Sequence, residues 1–351
     1  MSIQNFGKFI ISIIIGGLFL WLALRNVSLS EVQESLQQMS YGWIPFYVLV
    51  TLMAHYSRAV RWQQLFEAQE DNRLPSKRTL FNGVMLGYLL NYAIPRLGEL
   101  SRAVYVTRIE GGSNSKTLGT VFLERIVDTV MLMVMLLFIV FFFVSDPQAI
   151  RSIFGEDTVD LAKILFDPIN VILVTVFILL GLVLLWLINK TFMSNTENAG
   201  LFTTAYLKIK EILLLFSEGL LSLRLVRNWG LFIGSTILIW FGYVLLAYIP
   251  FWGFDMVSVY GLGMREAFVI MVVSAIGVAL PSPGGVGTYH WFVGQTLIIV
   301  YMVPSGLAMT YAIVTHAVMF FTVVLITVIT LVFSERSFSL FQLLKIQKNK
   351  E

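Results

Sequence analysis

From Ala267 to Ser334 the chain runs for 68 residues without a single Asp, Glu, Lys or Arg. One soluble core cannot hide so long an uncharged stretch, whereas about 20 apolar residues suffice to cross a bilayer's hydrocarbon. The composition agrees: 57% of the 351 residues are hydrophobic and 13% are charged, against about 25% charged in soluble domains. The expected fold class is therefore all-α, a polytopic integral membrane helical bundle, which excludes most soluble-enzyme readings. A net charge of +3 without a basic, aromatic-laced stripe gives no ground for nucleic-acid binding. The absence of cysteine excludes disulfides, thiolate metal sites and a cysteine nucleophile.

Six runs are long enough to cross: about 6–24, 41–60, 119–144, 169–189, 229–252 and 307–333. The first lacks a small-residue cleavage site and reads as an uncleaved helix. Two further apolar stretches, 79–106 and 266–303, are broken in the middle, at Asn91–Gly98 and at Pro281–Gly287. Proline removes a helical hydrogen bond and glycine frees the backbone. At membrane depth such breaks survive where protein or a wet cavity satisfies the exposed groups. Residues 28–39 read as a short amphipathic helix capped by Ser28 or Ser30, and 201–224 as an interfacial helix.

Basic residues mark cytoplasmic loops. The loop 61–78 (Arg61, Arg73, Lys77, Arg78), the segment 190–228 and the tail after 333 are basic, while 145–168 is acidic. The expected topology is a multi-pass protein of the cell inner membrane with both termini cytoplasmic. It closes only if each broken stretch returns to the side it left, as a re-entrant hairpin. The single membrane domain 1–351 then divides into a half at 41–144 and an inverted half at 229–333. The break prolines Pro95 and Pro283 lie 188 residues apart, as such an inverted repeat requires. Paired interrupted segments are a sequence pointer to a transporter's binding site; the alternative is two Pro-Gly kinks that merely shape the bundle.

A charge at the bilayer centre costs about 2.5–3.5 kcal/mol on insertion scales, so ionisable groups in the runs are functional candidates. Glu124 and Asp128, four apart, share a helical face, with Arg125 about 100° round. Near the first break Arg96, Glu99 and Arg102 recur every three residues on one arm. Guanidinium forks bind phosphate in bidentate fashion, so this arm suits a lipid phosphate or zwitterionic headgroup, or else an internal Glu99–Arg pair that locks the hairpin. The second break has no charge, but Gly284, Gly285 and Gly287 offer backbone N–H groups to an anion, and His290 sits in the following first turn. His55 shares a face with Arg58, and His316 lies in the last helix without a charged neighbour. Each histidine is either a relay or a hydrogen-bonded structural group. No zinc site, catalytic triad, P-loop or dinucleotide fingerprint is present, and no cofactor or metal is expected.

Residues Asn91–Tyr105, Gly119–Asp128, Pro281–Gly287 and Arg58-Ala-Val-Arg61-Trp62, in this order, resemble the flippase-like membrane domain of bacterial lysylphosphatidylglycerol synthase/flippases. The resemblance spans nearly the whole chain. It implies a bundle of about eight helices with re-entrant segments and a role in moving or handling lipids. Family members typically carry a Glu three residues after the last glycine of the second break, where this chain has His290. The synthases also carry a catalytic domain after the membrane part, so a stand-alone member without that domain is expected here.

Together these readings point to a flippase or scramblase-like translocator of a phospholipid, glycolipid or polyprenyl-linked lipid, and not to an enzyme. The alternatives are a membrane-embedded lipid-modifying enzyme and an accessory subunit of envelope lipid biosynthesis. The candidate substrate path is Arg58, Asn91, Pro95, Arg96, Glu99, Arg102, Glu124, Arg125, Asp128, Pro283, Gly284, Gly285, Gly287 and His290. The expected partner is a membrane lipid; no nucleic acid is expected, and the sequence does not fix an oligomeric state.

Overall fold

The computed structural model describes residues 3–67, 74–95, 97–143 and 223–332. The expectations for 145–168, 169–189, 201–222 of the interfacial helix 201–224, the C-terminal tail and Arg96 lie outside the described residues. Helix follows helix, with no strand among the described residues. The helices are α1 (Ile3–Leu24), α2 (Leu29–Gln38), α3 (Ile44–Glu67), α4 (Lys77–Ala93), α5 (Leu97–Glu110), α6 (Asn114–Phe143), α7 (Trp229–Gly253), α8 (Met256–Tyr260), α9 (Met264–Ala279), α10 (Thr288–Ile299) and α11 (Ser305–Val332). The chain forms two compact units, residues 1–132 with 222–351, and residues 133–221. The described part of the second is the end of α6, residues 133–143.

Local chemistry sets many of the helix starts. The Ser28 hydroxyl accepts the Glu31 N–H at 3.2 Å, which fixes the expected cap of α2. Ser76 accepts the Thr79 N–H at 3.1 Å and Asn228 the Leu231 N–H at 3.0 Å, satisfying amides that lack an intrahelical acceptor. Glu266 reaches back to the Gly263 N–H at 2.7 Å at the head of α9.

Among the described residues, α7 and α11 are long and apolar enough to cross a membrane. Helices α1 and α2 join them only as a pair bent by 79°. The expected crossing helices α3 and α6 have the length, with 24 and 30 residues, but carry Arg58 and Arg61, and Glu124, Arg125 and Asp128, where one faces the other. Their polarity is spent inside the protein.

Both interrupted stretches are helix pairs. Helix α4 packs against α5, with Gly87 beside the Gly98 carbonyl. Helix α9 packs against α10, with Gly277 beside the backbone of Thr288 and Tyr289. Helix α3 lies along α7, α11 packs on α4 and α10, and α1 packs on α10. A buried apolar cluster of Trp62, Leu65, Leu80, Val84, Tyr105 and Val121 joins α3 to α6. Among the described residues, helix α6 makes little close backbone approach to other helices, so side chains bridge the gap to α3 and α5.

One expectation is corrected. Arg61 is not part of a basic loop 61–78: α3 continues to Glu67 and buries Arg61 completely. Pairing with acids on another helix, which the local sequence does not show, removes the cost of burying it.

Candidate functional site

The first break leaves α4 at Ala93 and re-enters helix at Leu97. Pro95 forms the turn. Asn91 caps the new helix, its Oδ1 accepting the Gly98 N–H at 2.7 Å. That cap sets the angle at which α5 presents Glu99 and Arg102 to α6. Both side chains of α5 pair with α6: Arg102 Nη2 lies 2.7 Å from Glu124 Oε2, and Glu99 Oε1 lies 3.1 Å from Arg125 Nη2.

Helix α3 supplies the other wall. Arg58 reaches Glu124 at 3.0 Å and Asp128 at 2.8 Å. Arg61, one turn on, pairs with the same two carboxylates, at 3.4 Å from Glu124 and in contact with Asp128. Arg125 stands 3.9 Å from Asp128. The indole N–H of Trp62 donates to the Thr120 hydroxyl at 2.9 Å, and the Arg102 guanidinium stacks over the Trp62 ring at 4.7 Å, a cation–π contact.

Six of the seven charged candidates from the sequence thus gather in one cluster; the seventh, Arg96, is outside the described residues. Sequence reasoning missed Arg61 as a member. Its spacing of three from Arg58 on one helix face was the available signal.

The core of the cluster is unbalanced. Arg58, Arg61 and Arg102, all buried, share Glu124 and Asp128, which are 0% and 14% exposed at the side chain. Arg125 and Glu99, at 40% and 23%, balance each other at the rim. Three guanidiniums and two carboxylates leave one positive charge. The contacts of Arg58 Nη1 and Arg102 Nη2 with Glu124 are close but off the hydrogen-bond line, so charge rather than aligned hydrogen bonds holds these pairs. Nε of Arg58, Arg61 and Arg102 and Nη1 of Arg61 are buried N–H groups without a hydrogen-bond partner among the described residues. Such donors are costly to leave unmet.

Beside Arg102 and Arg125 a small cavity opens between α4 and α5, lined also by Tyr88, Asn91 and Gly98. Its volume of about 10 Å³ is the room of about one water molecule. The larger space is elsewhere, a groove of about 350 Å³ lined by Trp43, Phe46, Leu49, Ile249 and Trp252. Its lining holds no charged side chain.

The second break is built differently. Pro283–Gly285 form one 3₁₀ turn, with Gly284 at φ 58°, Gly285 at φ 79° and Gly287 at φ 84°. These are left-handed values that favour glycine. A Cβ on Gly284 would collide with the Tyr92 ring, and one on Gly287 with the Gly16 carbonyl of α1. Tyr92 belongs to the first break, so the two breaks touch. His290 Nδ1 accepts the Gly287 N–H at 3.2 Å, the cap that a Glu at this place would make. His316 bridges His290 Nε2 at 3.3 Å and the Gly284 carbonyl at 3.0 Å. His55 is buried, with both ring nitrogens unpartnered among the described residues, and packs on Tyr88 with ring centroids 4.5 Å apart.

The candidate residues therefore fall into two groups, a charged cluster behind the first break and a neutral turn at the second. Among the described residues no group of three or more His, Cys, Asp or Glu could hold a metal ion. No curated protein and no solved structure matches the chain. The family model of the lysylphosphatidylglycerol synthase TM region matches residues 9–327, across both breaks and the whole charged cluster, and the chain belongs to that family.

Proposed function

We propose that this protein binds an amphipathic membrane lipid through a phosphate-bearing headgroup and translocates it between leaflets. The observation that carries the reading is the extra guanidinium charge of the Arg58–Arg61–Arg102–Glu124–Asp128 cluster, with its unmet N–H donors. A phosphate diester brings one negative charge and acceptors that match guanidinium forks. Membership in a family named for a lipid synthase's membrane region points the same way.

The two helix pairs act as re-entrant hairpins, the first entering from the cytoplasmic side and the second from the outside, in two inverted halves. The Tyr92–Gly284 contact between them fits tips that meet inside the membrane, and the 188-residue proline offset fits the repeat. A cavity of about 10 Å³ is too small for a phosphate, so this is a closed state. Headgroup entry needs α5 to lean away from α6, lengthening the Arg102–Glu124 and Glu99–Arg125 pairs. The incoming phosphate takes over part of what the carboxylates supply, so opening does not strand bare charge.

The test is lipid movement in proteoliposomes, read as dithionite quenching of a fluorescent phosphatidylglycerol. Faster loss of inner-leaflet signal than in protein-free vesicles supports the reading. Identical kinetics at a verified protein density would contradict it.

A further inference from the structure

We propose that the His290–His316 pair is a proton-binding latch on the second break, and that this proton is the ion coupled to translocation. The coupling rests on the lipid-translocation reading; the latch does not.

The hydrogen bonds fix the protons. The Gly287 N–H donates to His290 Nδ1, so that nitrogen is bare and, in the neutral ring, the hydrogen is on Nε2. His290 Nε2–H then donates to His316 Nδ1, which leaves His316 Nε2–H to donate to the Gly284 carbonyl. A neutral imidazole has one donor and one acceptor, and both rings use each once. The chain starts and ends on the break itself, tying residues 284 and 287 to α11. One added proton gives either ring a second donor. On His290 it would face the Gly287 N–H; on His316 it would face His290 Nε2–H. Whichever ring takes it, one link is lost.

Among the described residues, the surroundings add no competing charge. Tyr92 of α4 packs on His316 at 5.9 Å and Tyr289 of α10 at 5.1 Å. Tyr47 of α3 reaches the Thr315 carbonyl at 3.4 Å. Helix α1 contributes Gly16, and α9 contributes Gly277 and Val278. Among the described residues, neither ring is ion-paired with a carboxylate. The held segment bears on the rest of the site, because Gly284 presses on Tyr92 of the first break and Gly287 on α1. Releasing it frees both contacts together.

The experiment uses the full chain in proteoliposomes, where the absence of native cysteine makes labelling clean. Ser282→Cys places a thiol at a buried position of the break, and Ser258→Cys an exposed reference. The ratio of their labelling rates cancels the pH dependence of the thiol. The ratio should rise about tenfold per pH unit on acidification through the titration, as one linked proton requires. It should stay flat with His290→Asn and His316→Gln together, which cannot take the proton. ¹⁵N-histidine NMR at alkaline pH should show both rings with bare Nδ1 and protonated Nε2. A flat ratio in the parent, the same rise in the double variant, or a protonated His290 Nδ1 overturns the latch. A latch that titrates beside lipid movement indifferent to a pH gradient overturns the coupling alone. A protein that moves no lipid refutes the translocation reading, while the labelling still decides the latch.

Discussion

At the first break the backbone is finished by one amide side chain, Asn91, and surrounded by charges from α3, α5 and α6. At the second it is finished by two neutral imidazoles and by glycines at positive φ, with no charge in contact among the described residues. The first arrangement holds its helices apart and bridges them with long side chains, so it can lengthen without breaking covalent geometry. The second is a close fit, with α1 lying on Gly287 and Tyr92 on Gly284. The comparison suggests a division of labour. In the proposed account the charged region recognises the headgroup, and the neutral region controls when the chain around it moves.

Glu124→Gln should have the largest effect. Glu124 is fully buried and faces three guanidiniums. Removing its charge leaves those three with Asp128 alone, and breaking a buried pair costs about 3–5 kcal/mol. The folded fraction on size-exclusion chromatography should collapse; a near-normal profile would mean the cluster is less tightly coupled than its distances imply.

Gly287→Ala tests the other region. The alanine meets both a positive φ and the Gly16 carbonyl, so a loss of about 1–3 kcal/mol is expected. Gly261→Ala, at φ 66° with open space around it, carries only the backbone cost of about 1 kcal/mol. Equal melting temperatures for the two would show that α1 is not pressed against the break.

Asn91→Ala removes the cap of α5 and should cost about 1 kcal/mol. Faster hydrogen exchange confined to the first turn of α5 would show it, and unchanged exchange at Gly98 would refute the cap. Arg125→Ala should cost the least. Its 40% exposure places the Glu99 pair among the surface pairs worth up to about 1 kcal/mol and screened by salt. A loss that survives high salt would move Arg125 from the rim into the core of the cluster.

Much of this was legible in the sequence, because hydropathy and spacing are local properties. The apolar runs mark α7 and α11, the Pro-Gly breaks mark the two helix pairs, and the four-residue spacing places Glu124 and Asp128 toward one partner helix. Glu99 and Arg102 were legible in the same way, but their partners were not. The local sequence offers only a Glu99–Arg pair within the stretch, while among the described residues Glu99 and Arg102 both pair with α6. Arg61 was hidden because a basic residue after an apolar run reads as a loop charge, and only the acids of α6 reveal why it is buried. The His290–His316 link joins two helices 26 residues apart, and no periodicity announces it. Such contacts depend on how helices meet, which hydropathy does not encode.

The central claim is that buried guanidinium forks select a phosphate. Its most direct test compares the parent with Arg102→Lys, which keeps the charge but loses the planar fork. Both are reconstituted at equal folded density, and movement is measured for a fluorescent phosphatidylglycerol and for a neutral diacylglycerol-linked sugar. The account predicts that the parent prefers the phosphate lipid and that the lysine variant moves it about tenfold more slowly, equivalent to about 1.4 kcal/mol. Equal movement of both lipids by the parent, or a parental rate in the lysine variant, would contradict it.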